Sequence, residues 1–399
     1  MDPAKPPSDP AGTSLDPVKP SLDLLRSLSD EHVLRALMRH RRLTRAELAA
    51  ETGLSKPTAG ESVRRLTEAG LVADTGERTP GGRGRGRVGS YYALAPDIGT
   101  ALAVSIAPGV IVAERVDAYG DTAGRAEAAI GRQARPGQVT AALEAAVASV
   151  QRDAAVQPGA LPAPKLAVVS AADPVDRVTG RLIHLPDSPF LVGDLDPVRI
   201  LAPYVSGTVT VDNDVNWAAR AERDHAGPEA PDDFTYLFLG EGLGAAIVSD
   251  GQVRRGHSGL AGEVAHLLTT DPDGRAAPFI EVFGQLGLRQ PGSTAIDGAR
   301  LIAAVSGQGP HAAALRHALG QAVSGVLAAI VALTDPLAVV IGGPWGCHPV
   351  VLDTIVTAAG RLPRQVPVRG ACLAGHPSLA GARADALARL RSGIIHASA

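Results

Sequence analysis

Hydrophobic and polar positions alternate in two different ways along this chain. From about Ala93 onward, short β-branched or apolar runs are separated by longer alanine-rich stretches, the pattern of an α/β protein with partly buried sheets. Strands are expected over residues 101–106, 110–116, 165–170, 209–211, 236–239, 245–248 and 338–341, and helices over 138–156, 215–225, 311–333 and from 378 to the end. Such a body divides into two lobes, and the cleft between them is the default place for a ligand, because loops at strand ends converge there.

Residues 33–92 have another pattern, that of a winged helix-turn-helix. Thr44-Arg45-Ala46-Glu47 places a hydroxyl at an N-cap and a carboxylate three residues on, a capping box. The helix it opens directs Ala46, Leu48, Ala49 and Ala50 toward a core and stops at Gly53, a residue free to take the left-handed backbone of a helix end. After Leu54 returns to the core, Ser55 caps a second helix in which Pro57 sits in the first turn, where no helical N–H bond is lost. Val63 and Leu66 form its buried side, while Ser55, Lys56, Thr58, Glu61, Arg64 and Arg65 form a face of hydroxyls and cations suited to base edges and phosphates. Residues 75–90 then interleave Arg78, Arg83, Arg85 and Arg87 with glycines ahead of the apolar Tyr91-Tyr92-Ala93-Leu94. This segment is read as a hairpin wing whose arginines enter a minor groove; a solvated linker is the alternative.

Charge sharpens the division. Residues 26–91 hold thirteen Lys plus Arg against eight Asp plus Glu, a local +5 in a chain whose net charge is −3. Phosphate binding needs only such a local patch. The first 22 residues, rich in Pro, Ser and Asp, are expected to form a disordered tail and do not have the pattern of a secretory signal. No apolar run is expected to reach the roughly 20 residues of a membrane helix, so no membrane partner is expected. With only Cys347 and Cys372, neither a disulfide framework nor a thiolate zinc cluster is available, and a cytoplasmic location fits.

The order of helix-turn-helix, arginine wing, Val211-Asp212-Asn213-Asp214-Val215-Asn216, Gly240-Glu241-Gly242-Leu243-Gly244, the stretch 256–266 and Ile341-Gly342-Gly343 resembles the regulator branch of the ROK family of repressors, open reading frames and sugar kinases. The resemblance covers about residues 30–395. It implies a winged helix-turn-helix over 23–95 ahead of a two-lobed, actin-like (ribonuclease H-like, sugar-kinase) body. Lobe 1 would span 96–210, completed by a C-terminal helix over 380–399, and lobe 2 would span 211–379. It also implies a sugar site: Asn213 and Asp214 match the family's sugar-binding Asn-Asp pair, whose Asp is the catalytic base of the kinases. Glu263 and His266 match the ends of Glu-x-Gly-His, Glu281 matches a later glutamate, and Asp187 stands in place of the sugar-loop asparagine. Acids and amides suit sugar hydroxyls because they accept or donate in fixed geometry. The other reading of Asn213-Asp214 is a helix cap.

Departures from the family pattern point away from phosphoryl transfer. The kinases open their first strand with an Asp-x-Gly-Gly-Thr phosphate loop; this chain has Ser105-Ile106-Ala107-Pro108-Gly109, and Pro108 has no N–H to offer. At the second phosphate turn Glu241 replaces a small hydroxyl residue, and like charges about 4 Å apart repel by roughly 4 kcal/mol at an effective dielectric near 20. Gly242 and Gly244 then read as parts of a tight turn. Residues 269–284 hold no cysteine, whereas many family members bind zinc there with three cysteines and a histidine. The expectation is a DNA-binding regulator, a homodimer or tetramer on operator DNA, that responds to a sugar or sugar phosphate and uses neither ATP nor zinc; Asp214 is left as a vestigial catalytic residue. A ligand-independent dimerisation scaffold and an active sugar kinase stand as the alternatives.

Overall fold

The computed structural model describes residues 22–79, 89–132, 134–156, 162–185, 189–190 and 194–398. The expected tail up to residue 21, Arg83, Arg85, Arg87 and Asp187 lie outside the described residues. The chain forms two compact units, Met1–Ala95 with Ile394–Ala399, and Pro96–Gly393.

The first unit runs α1 (Leu22–His40), β1 (Arg42–Thr44), α2 (Arg45–Thr52), α3 (Lys56–Glu68), β2 (Val72–Arg78) and β3 (Ser90–Leu94), with the strands in the order β1-β3-β2. Its turn is built by local chemistry. Thr44 accepts from the Glu47 N–H at 3.3 Å while the Glu47 carboxylate accepts from the Thr44 N–H at 2.8 Å, and Gly53 ends α2 at φ 71°. Ser55 accepts from the Thr58 N–H at 3.2 Å to start α3. Leu48, Val63 and Leu66 are buried, as are Val33, Leu34 and Leu37 of α1, the helix against which α2 and α3 pack. Ala46 and Ala50, expected to face the core, are exposed: only Leu48 and Ala49 of α2 point inward, because α2 is short and packs through one stripe.

The second unit begins with lobe 1: β4 (Thr100–Ala107), β5 (Val110–Asp117), β6 (Thr122–Ala129), α4 (Pro136–Val156), β7 (Leu166–Ala171), α5 (Pro197–Leu201) and β8 (Val209–Asn213). Its sheet has the order β6-β5-β4-β7-β8, antiparallel on one side of β4 and parallel on the other. Lobe 2 follows α6 (Asp214–Ala226) with β9 (Phe234–Leu239), β10 (Leu243–Ser249), β11 (Gln252–Val253), the hairpin β12 (Leu268–Thr270) and β13 (Ala276–Pro278), α7 (Phe279–Gln285), α8 (Gly298–Ser306), α9 (Pro310–Thr334), β14 (Ala338–Gly342), α10 (Pro349–Ala359) and β15 (Val368–Gly370), after which α11 (Pro377–His396) returns to lobe 1. Its sheet, β11-β10-β9-β14-β15, repeats the lobe 1 plan strand for strand.

Two expectations change here. Strand β8 crosses the boundary expected between 210 and 211, since Asp212 and Asn213 pair with Ser170 and Ala171 of β7 and belong to the lobe 1 sheet. Helix α9 is, by length and composition, long and apolar enough to cross a membrane, contrary to the reading that no run approaches that size. It buries Leu319, Val323, Val326, Leu327 and Ile330 in the lobe 2 core instead.

Helix α6 joins the lobes. Its Val215, Ala218 and Ala219 pack with Phe234, Tyr236 and Ala246 of lobe 2, while Trp217 on its other side donates through Nε1 to the Val169 carbonyl of lobe 1 at 3.0 Å. Its start is held by Asp212, which is buried. The Asp212 carboxylate accepts from Arg220 (2.8 Å), from the Asn216 amide (2.8 Å) and from the Asn213 N–H (2.9 Å), and pairs with Arg255 of lobe 2 at 3.1 Å. At the chain end, Arg383 donates to the Gly120 carbonyl at 2.6 Å and Arg391 to that of Ala118 at 2.9 Å, seating α11 on the turn between β5 and β6.

Removing one member of a buried ion network leaves its partners desolvated and uncompensated. Asp212→Ala is therefore expected to destabilise the body by about 3 kcal/mol, read as a lowered urea midpoint of the full chain. An unchanged midpoint would mean that water or rearranged partners take over the role of the carboxylate.

Candidate functional site

The face of α3 expected to read DNA is set by the register of the helix. Ala59, Ser62, Val63 and Leu66 turn inward, leaving Ser55, Lys56, Thr58, Glu61 and Arg64 exposed. Arg64 is clasped by Glu61 and Glu68, each at 2.6 Å, on the exposed surface, where such pairs are worth little and exchange readily for phosphate. Arg65 does not join this face. Its guanidinium donates in bidentate fashion to Asp30 of α1, at 2.6 and 3.1 Å, and Asp30 also accepts from Ser62, so Arg65 fixes α3 against α1. Neighbouring Arg45 and Arg42 lie over the rings of Tyr92 and Tyr91 at 5.0 and 5.2 Å, tying the wing strand to the turn.

In the body, a cavity of about 590 Å³ opens between the lobes. Its floor on the lobe 1 side is the exit of β7, with Asp173, and the β8–α6 junction, with Asn213 and Asp214. Asn213 realises the cap reading and lines the cavity as well: its carbonyl oxygen accepts from the Val215 N–H at 3.0 Å and its amide donates to the Asp173 carbonyl at 3.2 Å. One side chain thus starts the helix and holds the Asp173 loop. Across the cavity, Glu263 and His266 flank a single 3-10 turn, Val264–His266. Gly262 at φ 100° lets this loop approach β10 so closely that a Cβ would fall 1.8 Å from the Ala245 carbonyl oxygen.

Four of the six expected ligand residues, Asn213, Asp214, Glu263 and His266, therefore line the same cavity, from two sides. Glu281 does not. It is exposed on α7 and pairs with Arg289 at 2.9 Å, while its neighbour Ile280 faces the cavity. Asp187 lies outside the described residues, whereas Leu185, Pro189 and Phe190 to either side of it line the cavity. Asp173, only 3% exposed, is a member of the site that pattern reading missed; nothing in Ala-Ala-Asp-Pro distinguishes it from a turn residue.

Crowding of acids shapes the electrostatics. Burial, and then the nearby charges of Asp173 and Glu263, push the Asp214 carboxyl up to about 7, against the opposing N–H of Val215. Burial and Asp173 likewise push Glu263 up to about 7, with His266 acting in the other direction.

At the two turns that correspond to phosphate loops, Pro108 and Glu241 reach the cavity. Glu241 of lobe 2 is ion-paired with Arg132 of lobe 1, and the turn is braced from below by Trp345, which donates to the Gly240 carbonyl at 2.7 Å. Gly343, at φ 91°, lies so close to β9 that a Cβ would stand 2.3 Å from the Leu239 carbonyl oxygen, a packing demand independent of any nucleotide. The far wall, with Tyr236, Phe238, Cys347 and Leu373, is mostly apolar. Its loop is fixed by buried Glu222, which accepts from the N–H groups of Cys372 and Leu373 at 2.9 and 3.3 Å and from Arg369 at 2.7 Å. Burial raises the Tyr236 hydroxyl above the usual phenol range. The β12–β13 hairpin is closed by Asp271, which accepts from the N–H groups of Asp273 and Arg275 at 3.0 and 2.8 Å, and is anchored by Thr269 donating to the Ala322 carbonyl at 2.6 Å. Among the described residues no group of three His, Cys, Asp or Glu is placed to hold a metal ion.

The ROK family model matches residues 132–369 and a winged helix-turn-helix DNA-binding model matches residues 26–73. The chain is 33% identical over 177 residues to the N-acetylmannosamine kinase of Citrobacter koseri, covering 42% of this chain and 57% of that protein. It is 30% identical over 165 residues to the bifunctional enzyme NanE/NanK of Brucella suis biovar 1, covering 41% of this chain and 31% of that one. The match thus spans between about a third and just over half of the length of these curated relatives. Among solved structures, a ROK family transcriptional regulator homologous to the E. coli MLC protein superposes with a TM-score of 0.62 at 19% identity over 94% of this chain and 98% of that one. A ROK family glucokinase from Streptomyces griseus, solved with glucose and AMPPNP, superposes at 0.53 with 25% identity over 72% and 99%. The fold of the regulator is therefore shared along nearly the whole chain, winged helix included.

The raised carboxyls have a sign that can be measured. Their ordinary values are 3.8 for Asp214 and 4.5 for Glu263, and both sit at about 7 in the folded chain. Well below pH 4 both groups are protonated in folded and unfolded chains alike; from there up to about pH 7 the unfolded chain sheds protons that the folded one keeps. Stability is thus expected to fall as pH rises through that window and to level off above 7. Asp214→Asn, which mimics the protonated group, should melt roughly 2–5 °C above the parent at pH 8 and alongside it at pH 4. Parallel melting profiles across the whole range would show that the carboxyl stays ionised despite its burial.

Proposed function

The chain belongs to the ROK family, and we propose that it is a DNA-binding transcriptional regulator, a repressor acting as a homodimer or tetramer on operator DNA, whose kinase-like body senses a sugar and no longer phosphorylates it. The observation that carries this reading is the capped recognition helix, with Lys56, Thr58 and Arg64 exposed, fronting a ROK body. A symmetric assembly would set two such helices about one DNA turn apart. Ligand binding between the lobes would shift the equilibrium between states with different operator affinity, provided that the ligand prefers one of them.

The chemistry of the body supports sensing. The lining contributed by Asn213, Asp214, Glu263 and His266 offers acceptors and donors at hexose scale. Glu241 at the second phosphate turn brings a carboxylate where phosphate charge would lie, and Arg132 neutralises that carboxylate instead of serving a nucleotide. Pro108 withholds an N–H at the first turn. Zinc is left out of the proposal because residues 269–284, held by Asp271 and Thr269, offer no thiolate.

One observation favours a second reading, an active sugar kinase: Asp214 stands at the start of α6 on the cavity wall with its carboxyl near 7, a value suited to a general base. The relatives named for N-acetylmannosamine kinase activity point the same way. The regulator reading expects no ADP formation above the no-sugar control with ATP, magnesium and a hexose panel. Sustained turnover that disappears in Asp214→Asn would replace it with the kinase.

DNA binding is tested by fluorescence anisotropy on the DNA upstream of the chain's own reading frame. Specific binding that weakens steeply with salt is expected, and Lys56→Ala should lower affinity across sequences and reduce the salt slope by about one. Arg64→Ala should lose about 1–3 kcal/mol of discrimination at one base position if Arg64 reads a base edge. Release of the DNA by one sugar would identify the effector. Binding indifferent to every sugar would instead favour a body that serves only as a dimerisation scaffold.

A further inference from the structure

The cavity between the lobes has a lopsided charge. Its described lining includes Asp173, Asp214, Glu241 and Glu263, with His266 and His376 but no lysine or arginine. Glu241 at the rim is answered by Arg132, which leaves Asp173, Asp214 and Glu263 as the acids of the interior. These three come from separate elements: the exit of β7, the first turn of α6 and the loop before the Val264–His266 turn. They are close enough that the charge of Asp173 disfavours ionisation of both others.

A neutral sugar satisfies the hydrogen-bonding capacity of carboxylates but leaves their mutual repulsion in place. A phosphate adds like charge to a low-dielectric space where repulsion is strongest. An ammonium does the opposite, because it brings three N–H donors, no acceptor and a positive charge into a space walled by acceptors. The cavity, at about 590 Å³, is large enough for a ligand that carries such a group together with a polyhydroxylated ring.

We propose that the ligand sensed by this cavity is cationic, an amino sugar or similarly aminated polyol whose ammonium group lies among Asp173, Asp214 and Glu263, and that the same acids reject sugar phosphates. The inference rests on the sugar-sensing reading and narrows it to a chemical class. Asn213 and His266 remain for the ring hydroxyls, and Asp173 becomes the residue that sets charge preference.

Isothermal titration calorimetry of the full chain at pH 7 tests it with glucosamine, mannosamine and galactosamine against glucose, N-acetylglucosamine and glucose 6-phosphate. At least one amino sugar is expected to bind tenfold or more tightly than its neutral and N-acetylated counterparts, with the phosphate weakest. Asp173→Asn should remove most of that preference, and Glu263→Gln provides a second variant should the first fail to fold. A neutral sugar that binds as tightly as its amino counterpart overturns the charge proposal and leaves sugar sensing intact. If none of the sugars binds, in any charge state, the sensing reading falls together with the proposal.

Discussion

A buried carboxylate is tolerated only where its charge is answered on several sides, and in this body that constraint sits at Asp212. Asn216 and Arg220 reach it from successive turns of α6, Arg255 reaches it from lobe 2, and the N–H of Asn213 completes the ring. Satisfying all of them at once leaves one arrangement of the end of β8, the start of α6 and the loop that follows β11. The cavity lining inherits that arrangement. Asn213 follows Asp212 directly and becomes the cap, Asp214 comes next and faces the cavity, and Arg255 begins the loop that carries Glu263 to the opposite side. The site is therefore positioned by an ion network that need not touch ligand itself.

The two units carry opposite electrostatic character. The winged unit concentrates cations on exposed surface, where they meet water and can trade their acidic partners for phosphate. The body concentrates acids in an enclosed space, where they must share protons or find a cation. At the rim of the cavity the exposed Arg132–Glu241 pair also bridges the lobes, and an exposed pair of this kind contributes at most about 1 kcal/mol.

Much of this was legible in the chain because it is local. The capping box at Thr44, the left-handed Gly53 and the Ser55 cap depend on residues two to four positions apart, and all take the expected geometry. Strands rich in valine and isoleucine were readable from composition; β6, Thr-Ala-Gly-Arg-Ala-Glu-Ala-Ala, was not, since it exists by pairing with β5 and lacks β-branched apolar residues. Site residues failed for a different reason. Arg65 differs from Arg64 by one step of about 100° around the helix, which turns it to Asp30, 35 positions earlier. Glu281 is likewise one step from Ile280 and faces Arg289, not ligand. Asp173 and Glu222 carry no local signature, because their importance comes from elements that meet only in the fold.

The duplicated sheets and the last helix together bear on how the chain acquires its structure during synthesis. Lobe 1 has all five strands once Asn213 has emerged, yet the turn between β5 and β6 waits for Arg383 and Arg391 of α11. At about 5–20 residues per second, the intervening stretch takes a ribosome roughly 10 to 30 seconds. Throughout that interval the nascent lobe lacks its outer cover and the buried Asp212 lacks Arg255 until lobe 2 begins to appear. Completion of the body thus waits for α11, and a ribosome stalled short of it would leave a body that is fully templated and unfinished.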